Sequence, residues 1–193
     1  MVLLDSGGAN LGSVQAAFAR LQIDAPVSSD PNRIRAATHL VLPGVGAATA
    51  AMAHLRANGL ARLIPSLTQP LIGICIGMQL LFEGSEEGDT ECLGLLPGRV
   101  RRLPAAPGVR VPHMGWNRLQ VSSPHPLVEG MDDLWVYYVH SYAAAVSSQT
   151  LAVSTHGADF CAVTAAGNVM GAQFHPERSS VAGAHLLRNF LTL

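Results

Sequence analysis

The chain has 193 residues, carries 12 Lys and Arg against 13 Asp and Glu for a formal net charge of -1, and is 49% hydrophobic. This composition excludes a disordered chain, which needs low hydrophobicity and high net charge. With no run of Lys or Arg, it also disfavours nucleic acid or an anionic membrane as the main partner.

A chain of this length has room for one domain, residues 1–193, which should bury roughly 70% of the surface its unfolded form exposes. Residues 2–5 read as a first strand and residues 6–10 as a turn, after which Leu11, Val14, Phe18 and Leu21 recur at helical spacing. Residues 39–42 form a second strand, stopped by Pro43-Gly44, and the alanine-rich residues 47–58 form a helix with Gly59 as its C-terminal stop. Residues 71–74 are a third strand. Uninterrupted apolar strands alternating with helices predict an α/β fold whose mostly parallel central sheet is covered on both faces. From Arg99 onward the texture changes. Residues 135–139, 151–155 and 161–165 read as strands with short turns at Gly157 and Gly167-Asn168, predicting an antiparallel extension of the sheet. Residues 169–174 form the last strand and residues 181–191 the closing helix. No internal repeat, low-complexity tract or linker interrupts this order.

The longest uncharged apolar run, residues 71–82 (LIGICIGMQLLF), contains two glycines and a glutamine and is shorter than the about 20 residues of a membrane span. The first ten residues, MVLLDSGGAN, lack the basic start and long apolar region of a signal peptide, so a cytoplasmic location is expected. Cys75, Cys92 and Cys161 are odd in number and form no CxxC or Cys/His ligand pattern, which disfavours a disulfide framework and a structural zinc site. No metal or cofactor is expected. Charged residues make up 13% of the chain, against about 25% in an average soluble domain, so part of the surface is expected to be covered by a partner.

The most informative segment is Gly73-Ile74-Cys75-Ile76-Gly77, where an apolar strand meets an apolar helix. This is the cysteine form of a nucleophile elbow. The flanking glycines are needed because a side chain at either position would collide with a neighbouring strand or helix. Cys75 would sit at a helix N-terminus, which favours thiolate over thiol, and the N–H of Ile76 would be placed to receive an oxyanion. The same residues also fit an ordinary strand-to-helix turn around a buried inert cysteine. A cysteine that attacks an amide needs a base and a proton donor for the leaving nitrogen. Among eight histidines, His175 stands out because His175-Pro176-Glu177 follows the last strand. Pro176 biases His175 toward an extended conformation, so Glu177 can reach one ring nitrogen while the other meets Cys75. Read alone, this tripeptide is also a plain strand-ending turn. Pro43-Gly44-Val45-Gly46 could offer a second oxyanion donor, although G-x-G turns are common; no P-loop or GxGxxG pattern supports nucleotide binding.

Together PGVG, GICIGMQ and FHPE resemble the class I glutamine amidotransferase family, with its flavodoxin-like architecture, over nearly the whole chain. Within that family, PHMGWN (residues 112–117), YYVHSY (residues 137–142) and FHPERS are similar to the glutaminase subunits of imidazole glycerol phosphate synthases, which act in histidine biosynthesis. The resemblance implies a Cys-His-Glu triad of Cys75, His175 and Glu177. It implies an oxyanion strand over Gly44, Val45 and Gly46, with the N–H of Val45 joining that of Ile76. It also implies that Gln79, Glu87, Ser141 and Tyr142 hold the substrate glutamine. A carboxylate such as Glu87 would complement the substrate ammonium. The implied partner is a (β/α)8-barrel cyclase subunit, with Asn10, Trp116, Tyr137 and Arg178 facing it. PHMGWN and YYVHSY argue against anthranilate and pyridoxal phosphate synthases, the triad against a non-catalytic scaffold, and HPE against a DJ-1-like protein. The opening loop departs from the family: DSGGAN stands where the pattern resembles DYGxGN, with Ser6 and Ala9 in place of the tyrosine and the second glycine of this partner-facing segment.

Overall fold

Among the described residues eight strands form the central sheet, in the order β2 (Val27–Ser28), β1 (Val2–Leu4), β3 (Leu40–Leu42), β4 (Leu71–Ile74), β14 (Val169–Ala172), β13 (Ala158–Ala166), β12 (Thr150–His156) and β9 (Gln120–Val121). The first five run parallel, in the 2-1-3-4-5 sequence of flavodoxin-like folds, and the last three are antiparallel. Every residue of β1, β3, β4 and β14 is buried, as expected for strands covered on both faces. The structure, a computed structural model, describes residues 1–7, 11–105 and 107–193.

The helices follow from the same pattern. In α1 (Leu11–Ala19) Val14 and Phe18 are buried, while Leu21 lies just past its end and is half-buried. A short α2 (Pro31–Arg35), capped by Asp30, follows β2; neither is legible in so few residues. The alanine-rich α3 (Ala48–Ala57) is succeeded by Gly59 at φ 79°, the left-handed stop expected of it, and by α4 (Leu60–Leu63). After β4 comes the one-turn α5 (Ile76–Gln79), and α6 (Ser180–Leu191) closes the chain. Among the described residues no helix is long and apolar enough to cross a membrane.

Two further sheets lie beside the main one. A four-stranded sheet contains β5 (Phe82–Ser85), β6 (Thr90–Glu91), β7 (Leu96–Arg102) and β11 (Tyr142–Ala143), and a ribbon pairs β8 (His113–Arg118) with β10 (Trp135–His140). The sequence places residues 135–139 among the strands that extend the sheet; they instead belong to this separate ribbon. The reason is visible in its alternation. Val136, Tyr138 and His140 are buried while Trp135 is exposed and Tyr137 and Val139 half-buried, so only one face packs inward, against α6 and β12. Gly8, Ala9 and Asn10 lie outside the described residues, and with them most of the expected turn and the expected partner contact of Asn10.

Candidate active site

The register of β4 on β14 pairs Ile74 with Ala172, and the amide of Cys75 donates to the carbonyl of Ala172 at 2.8 Å. Cys75 then turns sharply, with φ 54° and ψ −112°, a conformation disfavoured for any residue bearing a Cβ. The flanking glycines explain how the turn is accommodated. A Cβ on Gly77 would lie 1.8 Å from the carbonyl oxygen of Leu42, and one on Gly73 would lie 2.5 Å from that of Gly77. The elbow therefore presses directly on β3 and on itself. Gly44 belongs to this packing, since a Cβ there would stand 2.6 Å from the Gly77 nitrogen. The helix behind Cys75 spans four residues, too short for a large dipole, but its first amide, that of Ile76, has no intrahelical acceptor.

His175 lies three residues past the end of β14, next to β4, which puts it at the same sheet edge as Cys75. Its Nδ1 is 2.8 Å from Glu177 Oε1, with both side chains almost fully buried. The turn that carries them is held firmly. The amide of His175 donates to Tyr137 O at 2.9 Å, Ser179 Oγ donates to His175 O at 2.7 Å, and α6 approaches so closely that a Cβ on Gly183 would lie 1.9 Å from Pro176 O. Burial by itself lowers the His175 pKa, but the Cys75 and Glu177 side chains outweigh it and push the value up from 6.5 to about 10. Nε2 is buried and has no hydrogen-bond partner among the described residues, which leaves it for a reacting group. Such a pair can deliver a proton to a leaving nitrogen.

Cys75 and His175 line one cavity of about 270 Å³ together with Val45, Gly46, Ile76, Gln79, Glu87, Ser141 and Tyr142. The expected substrate residues thus meet around the sulfur, although their tasks differ. Glu87 Oε2 accepts the amide of Ala48 at 2.7 Å, so one carboxylate oxygen is committed to the first turn of α3. Gln79 is buried; its Nε2 donates to Tyr142 O at 2.8 Å and to Gln173 Oε1 at 3.0 Å. Ser141 receives the amide of Leu103 on its carbonyl. Val45 and Gly46 line the cavity, Gly46 at φ 91°, whereas Gly44 faces the elbow backbone rather than the cavity.

Trp116, Tyr137 and Arg178 come together on the outer face of the ribbon. The Trp116 and Tyr137 rings meet edge to face at 5.9 Å, and the Arg178 guanidinium lies 4.9 Å from the Tyr137 ring centre. Both tryptophans of the chain are here, Trp116 at 50% and Trp135 at 52% exposure, which is unusual for the largest apolar side chain.

A family model described as Glutamine amidotransferase class-I matches residues 2–193. The chain belongs to this family. Among curated amidotransferase relatives, the imidazole glycerol phosphate synthase subunit HisH of Xanthomonas campestris pv. campestris (strain 8004) is 53% identical, covering 100% of this chain and 97% of the relative. The protein of that name from Xylella fastidiosa (strain Temecula1 / ATCC 700964) is 52% identical over the same shares. The branch of the family indicated by PHMGWN and YYVHSY is therefore borne out. Among solved structures, one described as a glutamine amidotransferase superposes with TM-score 0.76 at 21% identity, covering 99% of this chain and 97% of that one. A glutamine amidotransferase from Thermotoga maritima gives 0.68 at 17% identity, covering 98% and 95%. These two likenesses bear out the amidotransferase fold.

The motif reading of this family member misses Gln173, fully buried beside the elbow, whose Nε2 points at Cys75 Sγ from 3.8 Å. It also misses Val139, whose carbonyl lies 3.9 Å from the same sulfur and brings the ribbon over the site. The one available signal for Gln173 is a polar residue between the apolar Ala172 and Phe174.

Proposed function

We propose that the chain hydrolyses glutamine to glutamate and ammonia and passes the ammonia to a separate cyclase subunit that makes imidazole glycerol phosphate and an aminoimidazole carboxamide ribotide in histidine biosynthesis. The observation that carries the reaction is Cys75 in a left-handed elbow, sharing one cavity with the buried His175–Glu177 pair across the adjacent strands β4 and β14. The Cys75 thiolate adds to the carboxamide carbon, and the N–H groups of Val45 and Ile76 receive the oxyanion. His175, held by Glu177, gives its proton to the departing nitrogen, leaving a thioester and neutral ammonia. Water then adds to the thioester as His175 takes its proton, and glutamate leaves as the thiolate is restored. Gln79, Glu87, Ser141 and Tyr142 hold the amino-acid end of glutamine.

Ammonia released to water near neutral pH is protonated and no longer nucleophilic, so its use requires a passage that excludes water. The (β/α)8-barrel cyclase subunit supplies the acceptor, docking on the ribbon through Trp116, Tyr137 and Arg178. What supports this surface is the pair of half-exposed tryptophans with an arginine stacked on a tyrosine, residue types that dominate interface energetics. One domain over residues 1–193 belongs to the same reading, supported by a family match that spans 2–193. So does a cytoplasmic location, supported by three free cysteines. The test is ammonia release from glutamine by the purified chain, alone and with the cyclase subunit, with Cys75→Ala as control. Release that depends on Cys75 and rises with the partner is expected; no release in either state overturns the reading.

A further inference from the structure

PHMGWN and YYVHSY contribute no residue to the triad, yet the ribbon register sets His113 directly opposite His140. Both rings are buried, at 4% and 5% exposure. His113 Nδ1 lies 3.0 Å from His140 Nε2, His140 Nδ1 lies 2.9 Å from Tyr142 O, and His113 Nε2 lies 3.3 Å from Asn117 Nδ2. Donor and acceptor accounting fixes every proton in this chain. At the outer end, Asn117 Oδ1 accepts the amide of Arg118 at 2.8 Å and its Nδ2 donates to Thr155 O at 2.9 Å, so the amide cannot be reversed. His113 Nε2 must then accept, which puts its proton on Nδ1 and directs it to His140 Nε2. At the inner end Tyr142 O can only accept, so His140 must carry its proton on Nδ1, leaving Nε2 to receive from His113. Both ends demand the same polarity.

The polarity continues to the sulfur. Tyr142 O also receives Gln79 Nε2, which donates in addition to Gln173 Oε1, and Gln173 Nε2 is thereby turned toward Cys75 Sγ. Among the described residues Gln79 Oε1 has no donor. Burial, reinforced by the neighbouring histidines, lowers the pKa of His113 to about 4 and that of His140 to about 3, so both rings are neutral near pH 7.

We infer that His113 and His140 are positioning residues for glutamine: as paired Nδ1–H tautomers they hold the Tyr142 carbonyl, which orients Gln79 with its Oε1 toward the substrate's N–H donors. This rests on the glutaminase reading for its substrate, but the relay itself does not. Two measurements separate them. Long-range proton–nitrogen NMR of the imidazoles in the wild-type chain should show Nδ1–H for both rings; an Nε2–H ring at either position overturns the relay. Kinetics with the cyclase subunit present then compares His140→Asn with His140→Leu. Asn places an N–H near Nδ1 and can still donate to Tyr142 O, whereas Leu matches the ring's volume more nearly and cannot. The expected result is a KM for glutamine raised about tenfold in His140→Leu with kcat changed less, and a KM near wild type in His140→Asn. A merely structural role gives the reverse order, with Leu the better tolerated, and that order overturns the proposal. If His140→Leu does not fold, Asn117→Leu, at a half-buried site, removes the outer anchor. It should give mixed tautomers and a KM raised about threefold; unchanged tautomers and KM overturn it. A wild-type chain with no glutaminase activity refutes the glutamine part, while the tautomers still decide the relay.

Discussion

The amide of His175 donates to the carbonyl of Tyr137, and the amide of Tyr137 donates to Ser179 Oγ, each at 2.9 Å. The strand that displays the aromatic face outward therefore holds the candidate base from behind. Ser179 is buried and also donates to His175 O. Ser179→Ala leaves the half-buried amide of Tyr137 without its acceptor and loosens the turn. It should cost about 1–3 kcal/mol in urea unfolding and reduce glutaminase kcat about tenfold, measured by ammonia release.

Cys75→Ala should reduce ammonia release by about 10³-fold or more, because no other group can form the thioester. The positive φ of Cys75 is imposed by the elbow and is the same for Ala, so the thermal midpoint and partner affinity should stay near wild type. A variant that still hydrolyses glutamine would remove Cys75 from the mechanism.

The glycines of the site divide into two kinds. Gly77→Ala would force a Cβ to within 1.8 Å of Leu42 O, backbone that cannot move without displacing β3, whereas a Cβ on Gly46 meets open space at φ 91°. Gly77→Ala should therefore destabilise by more than about 3 kcal/mol or fail to fold, and Gly46→Ala by about 1 kcal/mol, compared by urea unfolding.

The His175 pKa is raised to about 10 from 6.5. The folded state thus holds this proton more tightly than the unfolded chain, so the stabilisation is complete below pH 6.5 and lost as pH rises through about 10. His113, lowered to about 4, has the opposite sign: the unfolded ring binds a proton first, so stability falls as pH drops from 6.5 toward 4. Urea midpoints between pH 4 and 11 should decline on both sides of neutrality, and Glu177→Gln should shrink the alkaline decline. A midpoint that is flat from pH 7 to 11 would contradict the His175 assignment.

Trp116→Ala removes a half-exposed ring that packs edge to face on Tyr137. It should weaken binding to the barrel subunit by about 2 kcal/mol, roughly thirtyfold in Kd by titration calorimetry, and leave the thermal midpoint within about 2 °C of wild type.

The parts legible in the sequence are those whose physics is local. Residues 71–74 announce a buried strand by being wholly apolar, and Gly73 and Gly77 announce a sharp turn because a Cβ has no room at either. Pro176 extends His175 so that Glu177, two residues on, reaches Nδ1. Short or one-sided pieces were less legible. β2 has two residues, and β10 carries a strand's alternation without saying which strand it pairs with.

Sequence alone thus determined the α/β order, the elbow around Cys75 and the His175–Glu177 pair, because each depends on backbone preferences and spacing within a few residues. Tertiary structure alone decided that Gln173 meets the sulfur, that Gly44 packs on the elbow rather than facing the cavity, and that His113 stands opposite His140. Those facts depend on strand register and on which faces remain to be covered once the sheet has formed. Both are set by the packing of the whole chain, and no local window of residues contains them.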